Sequence, residues 1–346
     1  KPGGFAWASY GPASNSHLYM EWLKSTRGLQ FLNVPYKTAG QAFTSMMSGE
    51  AQIAMYNAGA SSAMAKGGKL RVLAVIGEVA SGRSMAAGPI CQQAGVPMIS
   101  PSSTNPKVTE IGDYIFRICF IDPFQGEVMS KFALENLKAK TAAVVVDKTQ
   151  DYSVGLADFF KKAFEAKGGK IVLDTIYNTK DTDFKAQLTE IKAKKPDVIF
   201  VPGYYNDVAL ILKQARGMGI KTPVLGGDGW ESEDLVKVAG KEALEGTYYS
   251  NHYAPDTKDV HAQGFIEAFK KEYNGEVPDA MAALGYDAFN VVIDAMKRAK
   301  SLTREDVTGL LNALWTGGQQ GFQSVLRTRK GGERKPANLS WLKNDD

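Results

Sequence analysis

Short apolar segments alternate along the chain with amphipathic segments, at the spacing of strand–helix–strand units. The clearest apolar segment is TAAVVVD (141–147). The clearest amphipathic segment covers 151–169, where large apolar side chains recur every three to four positions. Because parallel strands need a long crossover, usually a helix, this alternation predicts parallel sheets covered by helices on both faces.

The predicted elements fill most of the chain. The predicted strands are 4–10, 29–36, 51–57, 70–77, 96–100, 113–120, 141–147, 170–177, 196–203, 222–228 and 244–253. The predicted helices are 16–28, 37–50, 58–69, 80–95, 122–138, 151–169, 182–195, 204–219, 230–240, 260–275, 279–300 and 303–315. Asp122 is expected to cap its helix, with Pro123 at the first helical position. The polar, basic tail after 315 is expected to hold one or two edge strands.

So many strand–helix units exceed one doubly wound domain, which predicts two α/β lobes. The chain is expected to cross between the lobes near 120–122, 249–253 and 316–325, and multiple crossings form a hinge. The first lobe would contain 1–121 and 252–320, and the second 122–251 and 321–346. In such folds the ligand binds in the crevice that faces the carboxyl ends of the strands.

The loop ISPSSTNP (99–106) is the first candidate for a binding element. Ser102, Ser103 and Thr104 follow one another between two prolines that stiffen the backbone. Hydroxyls and free backbone N–H groups at the end of a strand suit a small anion, most simply a carboxylate. The alternative is a Ser/Thr-rich turn that caps the next helix.

Further loops end strands at the same topological level. ASG (80–82) offers a hydroxyl at a helix start, DYS (151–153) and GYY (203–205) offer phenols, and GGDGW (226–230) offers a carboxylate beside an indole. Each loop alone could be ordinary capping. Together they describe a site for a zwitterion with an apolar side chain, and the candidate residues they add are Ser81, Tyr152, Tyr204, Tyr205, Asp228 and Trp230.

Composition narrows the function further. The 346 residues are 44% hydrophobic and 23% charged, with a net charge of +4 that is dispersed along the predicted helices. This pattern argues against nucleic-acid binding, and no apolar run reaches the length needed to insert into a membrane. Cys91 and Cys119 cannot form a disulfide framework and are expected as buried free thiols.

Catalytic and metal motifs do not emerge from the sequence. His17, His252 and His261 lack metal-ligand spacing, and neither a phosphate-binding loop nor a nucleophile elbow is present. Asp147 and Asp151 near Tyr152 could act as an acid–base pair, although capping roles are the simpler reading. We therefore expect a protein that is not an enzyme and has no cofactor or metal ion.

Several segments carry a family resemblance. They are AVIGEVASG (74–82), PICQQAGVPMISPSSTNP (89–106), FRICFIDPFQGE (116–127), DYSVGLADFFKKAFEAKGG (151–169), DTDFKAQLTEIKAKKPDVIFVPGYY (181–205) and PVLGGDGW (223–230). With them, the chain from about Val75 to about Leu314 resembles the periplasmic branched-chain amino-acid-binding proteins, the type I receptors of ABC importers. The resemblance implies a two-lobed type I fold with three crossings. It implies that Ser81, Ser102 and Thr104 hold the ligand carboxylate, that Asp122 and Asp228 hold its ammonium, and that Tyr152 with Tyr204 or Tyr205 closes over it.

The first 74 residues depart from that family. The segments SNSHLYMEWLK (14–24) and PYKTAG (35–40) resemble instead the receptors of tripartite tricarboxylate transporters, in which these segments contact a carboxylate ligand. The chain therefore resembles a chimera that joins the two families in the strand LRVLAVIG (70–77). The grafted part adds the candidate contacts Ser14, Asn15, Ser16 and Lys37.

The expected function is capture of a small leucine-, isoleucine- or valine-like amino acid between two lobes, for delivery to a membrane permease. The rivals are a carboxylate receptor, a chimera that binds no native ligand, and a ligand-sensing receptor module. We expect a monomer. Lys1 starts the chain with neither an initiator Met nor a signal peptide, which fits a mature or trimmed exported protein, and we expect it in the periplasm or outside the cell, lipid-anchored or free.

Overall fold

The computed structural model describes most of the chain in detail. The described residues are 5–10, 17, 20–21, 24, 30–51, 53–54, 72–301 and 303–314. The chain divides into two compact units, Lys1–Val75 and Ile76–Asp346. The candidate contacts Ser14, Asn15 and Ser16, the predicted helix 58–69, the third crossing and the tail lie outside the described residues.

The first unit contains a parallel three-stranded sheet. Its elements are β1 (Phe5–Ser9), β2 (Phe31–Pro35), α1 (Ala39–Ser48) and β3 (Ile53–Ala54), with the strand order β2-β1-β3. Thr38 caps α1, since its side chain accepts a hydrogen bond from the Gln41 amide at 3.2 Å. The buried cluster against β1 consists of small side chains, Ala6, Ala8, Ala42 and Ala51.

The second unit continues the alternation of strands and helices. Its first elements are β4 (Val75–Ile76, at the unit boundary), α2 (Ser81–Gln93), β5 (Met98–Ser100), β6 (Ile115–Arg117) and α3 (Asp122–Lys131). Next come β7 (Thr141–Asp147), α4 (Asp151–Ala166), β8 (Lys170–Tyr177), α5 (Lys185–Lys194), β9 (Val198–Phe200), α6 (Tyr205–Gly217), β10 (Val224–Gly226), α7 (Glu233–Ala239) and β11 (Thr247–Tyr249). The last described elements are α8 (Val260–Glu272), α9 (Ala280–Arg298) and α10 (Arg304–Leu314).

These strands form two sheets, with the orders β4-β5-β6 and β11-β10-β9-β7-β8. The pairs β5–β6, β7–β8, β7–β9, β9–β10 and β10–β11 all run parallel. The chain passes from the first sheet to the second between β6 and β7, and it leaves the second sheet after β11. The predicted α/β architecture of parallel sheets flanked by helices is therefore confirmed.

Large aromatic side chains pack on the five-stranded sheet. Phe160 of α4 stacks on Phe200 of β9, with ring centroids 3.9 Å apart, and Phe164 stacks on Phe160 at 5.4 Å. A Cβ atom at Gly126 of α3 would lie 2.7 Å from the Phe160 amide nitrogen, so glycine permits the close approach of α3 to α4. Helices on both sides explain why the five central residues of β7, 142–146, are all apolar rather than apolar at alternate positions.

Several element bounds differ from the prediction. Ile121 occupies the N-cap position of α3, so Asp122 is the first helical residue and not the cap, and Pro123 follows it. After Lys131 the helix widens into a π-turn over Phe132–Asn136. The helix predicted from Trp230 begins only at Glu233, because Asp228–Trp230 forms a separate 3₁₀ turn.

Two composition-based predictions can be compared with the described residues. Both cysteines are free; Cys119 is buried as predicted, whereas Cys91 is only half-buried. Within the described part of the chain, every helix is too short or too polar to cross a membrane.

Candidate functional site

A cavity in the second unit lies where strand ends of its two sheets meet. The loop after β4 and the loop after β5 form one side, and the starts of α4 and α6, the turn after β10 and the start of α9 form the rest. The lining residues are Val79, Ser81, Ser102, Tyr152, Tyr204, Tyr205, Asp228, Gly229, Glu231 and Met281. Six of the sequence-predicted residues are therefore brought together here: Ser81, Ser102, Tyr152, Tyr204, Tyr205 and Asp228.

A buried arginine holds the loop that contains the three consecutive hydroxyls. Nη1 of Arg117 in β6 donates to the carbonyl oxygens of Ser103 at 2.7 Å and Asn105 at 2.8 Å. Nη2 donates to the carbonyl of Pro106 at 2.8 Å and to Oγ1 of Thr109 at 2.7 Å. Burial lowers the pKa of this guanidinium, and nearby Cys119, Asp122 and Glu110 oppose that effect. Arg117 thus fixes the backbone of the loop rather than facing the cavity.

Several loop hydroxyls bind the backbone that follows β4. Ser100 Oγ donates to the carbonyl of Glu78 at 2.6 Å, and Ser103 Oγ lies 3.0 Å from the carbonyl oxygens of both Glu78 and Val79. Ser84 Oγ lies 2.7 Å from Ser103 Oγ. The fully buried Ser103 is therefore engaged in holding the loops together, and the structure does not place it on the cavity wall.

Ser81 and Ser102 are the loop hydroxyls that line the cavity. Ser81 starts α2, and its Oγ accepts from the Asn105 amide at 3.2 Å. Ser102 Oγ donates to the Val79 carbonyl at 3.2 Å. Asn105 in turn donates its side-chain Nδ2 to the Asp151 carbonyl at 2.9 Å, which connects this side of the cavity to the start of α4. The two hydroxyls thus occupy fixed positions on one wall.

Asp228 forms the opposite, acidic part of the wall. Its Oδ1 accepts from Tyr152 Oη at 2.9 Å and from Gln125 Nε2 at 2.8 Å, and its Oδ2 lies 3.0 Å from His252 Nε2. Gln125 Oε1 accepts the Asp228 amide at 3.1 Å. A carboxylate offers about four acceptor positions, so these described contacts leave one on Oδ2. That position can accept a hydrogen bond from an ammonium group.

Asp122 lies behind Asp228, outside the lining of the cavity. The same Gln125 Nε2 that binds Asp228 also donates to Asp122 Oδ1, at 3.2 Å. Burial raises the pKa of Asp122 to about 8, and the nearby Asp228 adds to the rise, whereas Thr104, Arg117 and Gln125 oppose it. Of the two acids predicted to bind an ammonium, only Asp228 borders the cavity.

Two tyrosines form an aromatic part of the wall. The rings of Tyr152 and Tyr204 lie 5.0 Å apart, and burial raises the pKa of both phenols. Tyr152 Oη also accepts the Gly229 amide at 3.1 Å. A Cβ atom at Gly227 would lie 2.4 Å from Tyr152 Oη, so only glycine lets this turn approach the phenol.

Other predicted residues lie elsewhere. The indole of Trp230 is buried in the core, where Nε1 donates to the Val201 carbonyl at 2.9 Å, and Thr104 is buried beside Asp122. Lys37 belongs to the first unit, in a groove with Tyr36, Thr38 and Glu50. Asp147 is buried and accepts from Thr149 and Thr179, so it is not a solvated cap.

Sequence reasoning missed five residues of this region. Gln125 and His252 contact Asp228, and Val79, Glu231 and Met281 line the cavity. The one available signal was that His252 lies in the predicted crossing 249–253, next to the crevice. No group of three or more His, Cys, Asp or Glu side chains in the described part of the chain is arranged to hold a metal ion.

Comparisons with known proteins identify the family to which the sequence is similar. Residues 54–331 match the model of a family described as periplasmic binding protein. A leucine-, isoleucine-, valine-, threonine- and alanine-binding protein of Pseudomonas aeruginosa is 32% identical over 240 residues, 69% of this chain and 63% of that protein. The chain thus matches less than two thirds of the length of this curated relative.

Solved structures extend the likeness over most of the chain. A leucine-binding protein, LivK, of Thermotoga maritima is 34% identical with a TM-score of 0.71, covering 92% of this chain and 90% of that one. A branched-chain amino acid transporter substrate-binding protein, LivJ, of Streptococcus pneumoniae, solved with isoleucine, is 29% identical with a TM-score of 0.71, covering 94% and 93%. The proposed chimeric origin of residues 1–74 stays a prediction.

Proposed function

Because the chain belongs to the periplasmic binding protein family and has its type I fold, we propose that it captures a small amino acid of the leucine, isoleucine and valine class for an ABC importer. The observation that carries this proposal is the Asp228 carboxylate, which borders the cavity with one acceptor position left on Oδ2. The names of the matched relatives, which bind such amino acids, support the same ligand class.

Each part of an α-amino acid has a matching part of the wall. The ligand carboxylate would accept a hydrogen bond from the Ser81 hydroxyl, whose oxygen accepts from the Asn105 backbone amide and whose hydrogen has no partner among the described contacts. Ser102 would donate to the carboxylate only by giving up its hydrogen bond to the Val79 carbonyl. The ligand ammonium would donate to Asp228. Val79, Tyr205 and Met281 supply the apolar contacts for a side chain.

The family also supports a receptor rather than an enzyme. We expect the protein to work as a monomer outside the cytoplasm and to present its ligand to a membrane permease. Size-exclusion chromatography with light scattering checks the first point, and reconstitution with the permease checks the second.

A thermal-shift screen against the twenty amino acids and a set of dicarboxylates tests the proposed ligand class. A ligand that binds only the folded state raises the melting temperature, so leucine, isoleucine or valine should raise it in a concentration-dependent way. Calorimetry on the best ligand then gives the affinity. A rise with dicarboxylates alone, or with none of these compounds, contradicts the proposal.

A further inference from the structure

Glu231 joins three segments at the edge of the cavity. Its backbone follows the turn after β10, and its Oε1 accepts from Asn251 Nδ2 at 2.8 Å, in the segment that leaves β11. Its Oε2 accepts from the Ala280 amide at 3.0 Å, at the first residue of α9. The side chain therefore links the acidic turn of the site to a helix that is 49 residues further along the chain.

The carboxylate suits its place at the start of a long helix. The first amides of a helix have no partner within it, and an anion there is stabilised by the helix dipole. Asp279 caps the same helix by accepting the Ala282 amide at 2.7 Å, which leaves the Ala280 amide to Glu231. The Tyr253 hydroxyl donates to the Pro278 carbonyl, a second link between the segment after β11 and the start of α9.

The surroundings of Glu231 act on its pKa in both directions. Burial raises its pKa and the Asp279 carboxylate adds to the rise, while Asn251, the Ala280 amide and His252 oppose it. Because its oxygens are held by donors on two separate segments, the side chain has little freedom to turn elsewhere.

Met281 makes this link relevant to the ligand. It directly follows Ala280, and it lines the cavity together with Glu231. Any shift in the first turn of α9 therefore moves an apolar part of the cavity wall. Asp228, in contrast, is held by Gln125, Tyr152 and His252, none of which belongs to α9.

We propose that Glu231 is a positioning residue that fixes the start of α9, and with it Met281, so that the apolar wall distinguishes aliphatic side chains by their length. This inference rests on the proposed function, because it assigns a role in selecting among amino acids. In this proposal Glu231 acts through Met281. The alternative is that its remaining acceptor positions bind the ligand ammonium, which would weaken leucine and alanine equally.

The test compares the affinities for leucine and alanine by calorimetry in the parent, Glu231→Ala and Met281→Ala. In the proposed binding mode the leucine side chain contacts Met281 and the alanine side chain is too short to do so, and each methylene group in an apolar pocket is worth about tenfold or more. We expect leucine affinity to fall at least tenfold in both variants, while alanine affinity changes less than about threefold. Glu231→Gln keeps one acceptor oxygen, so its affinity for leucine should lie between those of the parent and Glu231→Ala.

Glu233→Ala is the matched control, since Glu233 is an exposed glutamate two residues away whose ion pair among the described residues is with Lys237, at 3.3 Å. It should leave both affinities unchanged. An equal loss for leucine and alanine in Glu231→Ala would overturn the proposal, and so would unchanged affinities.

A second measurement does not depend on any ligand. Hydrogen exchange followed by mass spectrometry should show faster exchange over 278–285 in Glu231→Ala than in Glu233→Ala, because the first turn of α9 loses its anchor. Equal exchange in the two variants would overturn the positioning role. A parent protein that binds neither amino acid would instead contradict the proposed function and the claim of selectivity, while the exchange result would still decide whether Glu231 holds α9.

Discussion

His252 Nε2 lies 3.0 Å from Asp228 Oδ2, and the imidazole stacks on Phe120 with ring centroids 4.0 Å apart. Phe120 belongs to the segment by which the chain leaves the first sheet of the second unit, and His252 to the segment by which it leaves the second sheet. The acid of the site is therefore held at the point where these two connections meet. Side chains on three different segments, those of Gln125, Tyr152 and His252, contact it.

Replacing Asp228 by Asn should abolish amino-acid binding while leaving the fold intact. The amide carries no charge to balance an ammonium, and its nitrogen cannot accept from the donors that surround the native carboxylate. Losing the charged partner of a desolvated ammonium costs ~2–5 kcal/mol, so calorimetry should show at least a thirtyfold weaker affinity.

The control for this substitution is Asp234→Asn, at an exposed position of α7. It should bind like the parent. Circular dichroism must show the same spectrum for both variants. Unchanged affinity in Asp228→Asn would remove Asp228 from the site.

Asp122 should make the folded protein less stable as the pH rises. Its pKa is raised by burial to about 8, while in the unfolded chain it titrates near 3.8. Between these values the folded state holds a proton that the unfolded state has lost, so the free energy of unfolding falls as the pH increases from about 4 to about 8. Asp122→Asn should therefore gain stability relative to the parent over this range.

Urea denaturation at pH 5 and pH 8 measures that difference. Burial also raises the pKa of Glu231 and Asp207, but these groups are present in both proteins and cancel in the comparison. A parent-minus-variant difference that is the same at both pH values would show that Asp122 is ionised in the folded state throughout.

The part of this architecture that depends on local pattern could be predicted from the sequence. The strand Thr141–Asp147 has the predicted bounds, because an uninterrupted apolar run buried on both faces leaves no choice of register. The strand predicted over 113–120 covers only Ile115–Arg117, because the following apolar residues enter the loop toward α3. Apolar character alone does not distinguish a buried strand from a buried loop.

The contacts within the site could not be predicted, because they join residues that are far apart in sequence. Gln125 and Asp228 form a hydrogen bond although they are separated by 103 positions, and no local sequence pattern around either residue indicates the other as its partner. Ser103 was predicted to be a site residue but does not line the cavity. Its residue type suits an anion site, but its hydroxyl donates to the backbone carbonyls of Glu78 and Val79 instead.

Arg117 should be essential for stability. Replacing it by Met removes the donor for the carbonyls of Ser103, Asn105 and Pro106, which all belong to the loop 99–106. Buried acceptors left without a partner cost on the order of 1–3 kcal/mol each, so urea denaturation should show a loss of several kcal/mol. Arg117→Lys keeps the charge but not the forked geometry of the guanidinium, so its loss of unfolding free energy should be somewhat smaller than that of Arg117→Met.

Arg298→Met is the comparison for this effect, since Arg298 forms an exposed pair with Asp294 at 2.7 Å. The free energy of unfolding of Arg298→Met should lie within about 1 kcal/mol of that of the parent. If Arg117→Met were as mild as Arg298→Met, the guanidinium would not be what holds the loop.

The strands of the first unit should exchange their amide hydrogens faster than the central strands of the second unit. The fully buried members of the cluster beside β1 are alanines, each of which removes little apolar area from water. The larger side chains packed against them, Tyr10, Val34, Tyr36 and Met46, are only partly buried. No residue of β2 is fully buried. In contrast, β7 and β9 pack against Phe160 and Phe164 on one side and against a large apolar cluster on the other. Local opening should therefore cost less free energy in β1 and β2.

Hydrogen exchange with mass spectrometry compares peptides that cover 31–35 with peptides that cover 141–147 and 198–200. Poor strand pairing would not explain faster exchange in the first unit, because β1 pairs with β2 over five residues, Phe5 to Ser9, in a regular parallel register. The expected difference thus comes from the small size of the side chains in the cluster, and replacing Ala42 by Val should reduce it if the added methyl groups fit. Equal protection in the two units would mean that the alanine cluster is covered well enough to keep water away from the sheet β2-β1-β3 of the first unit.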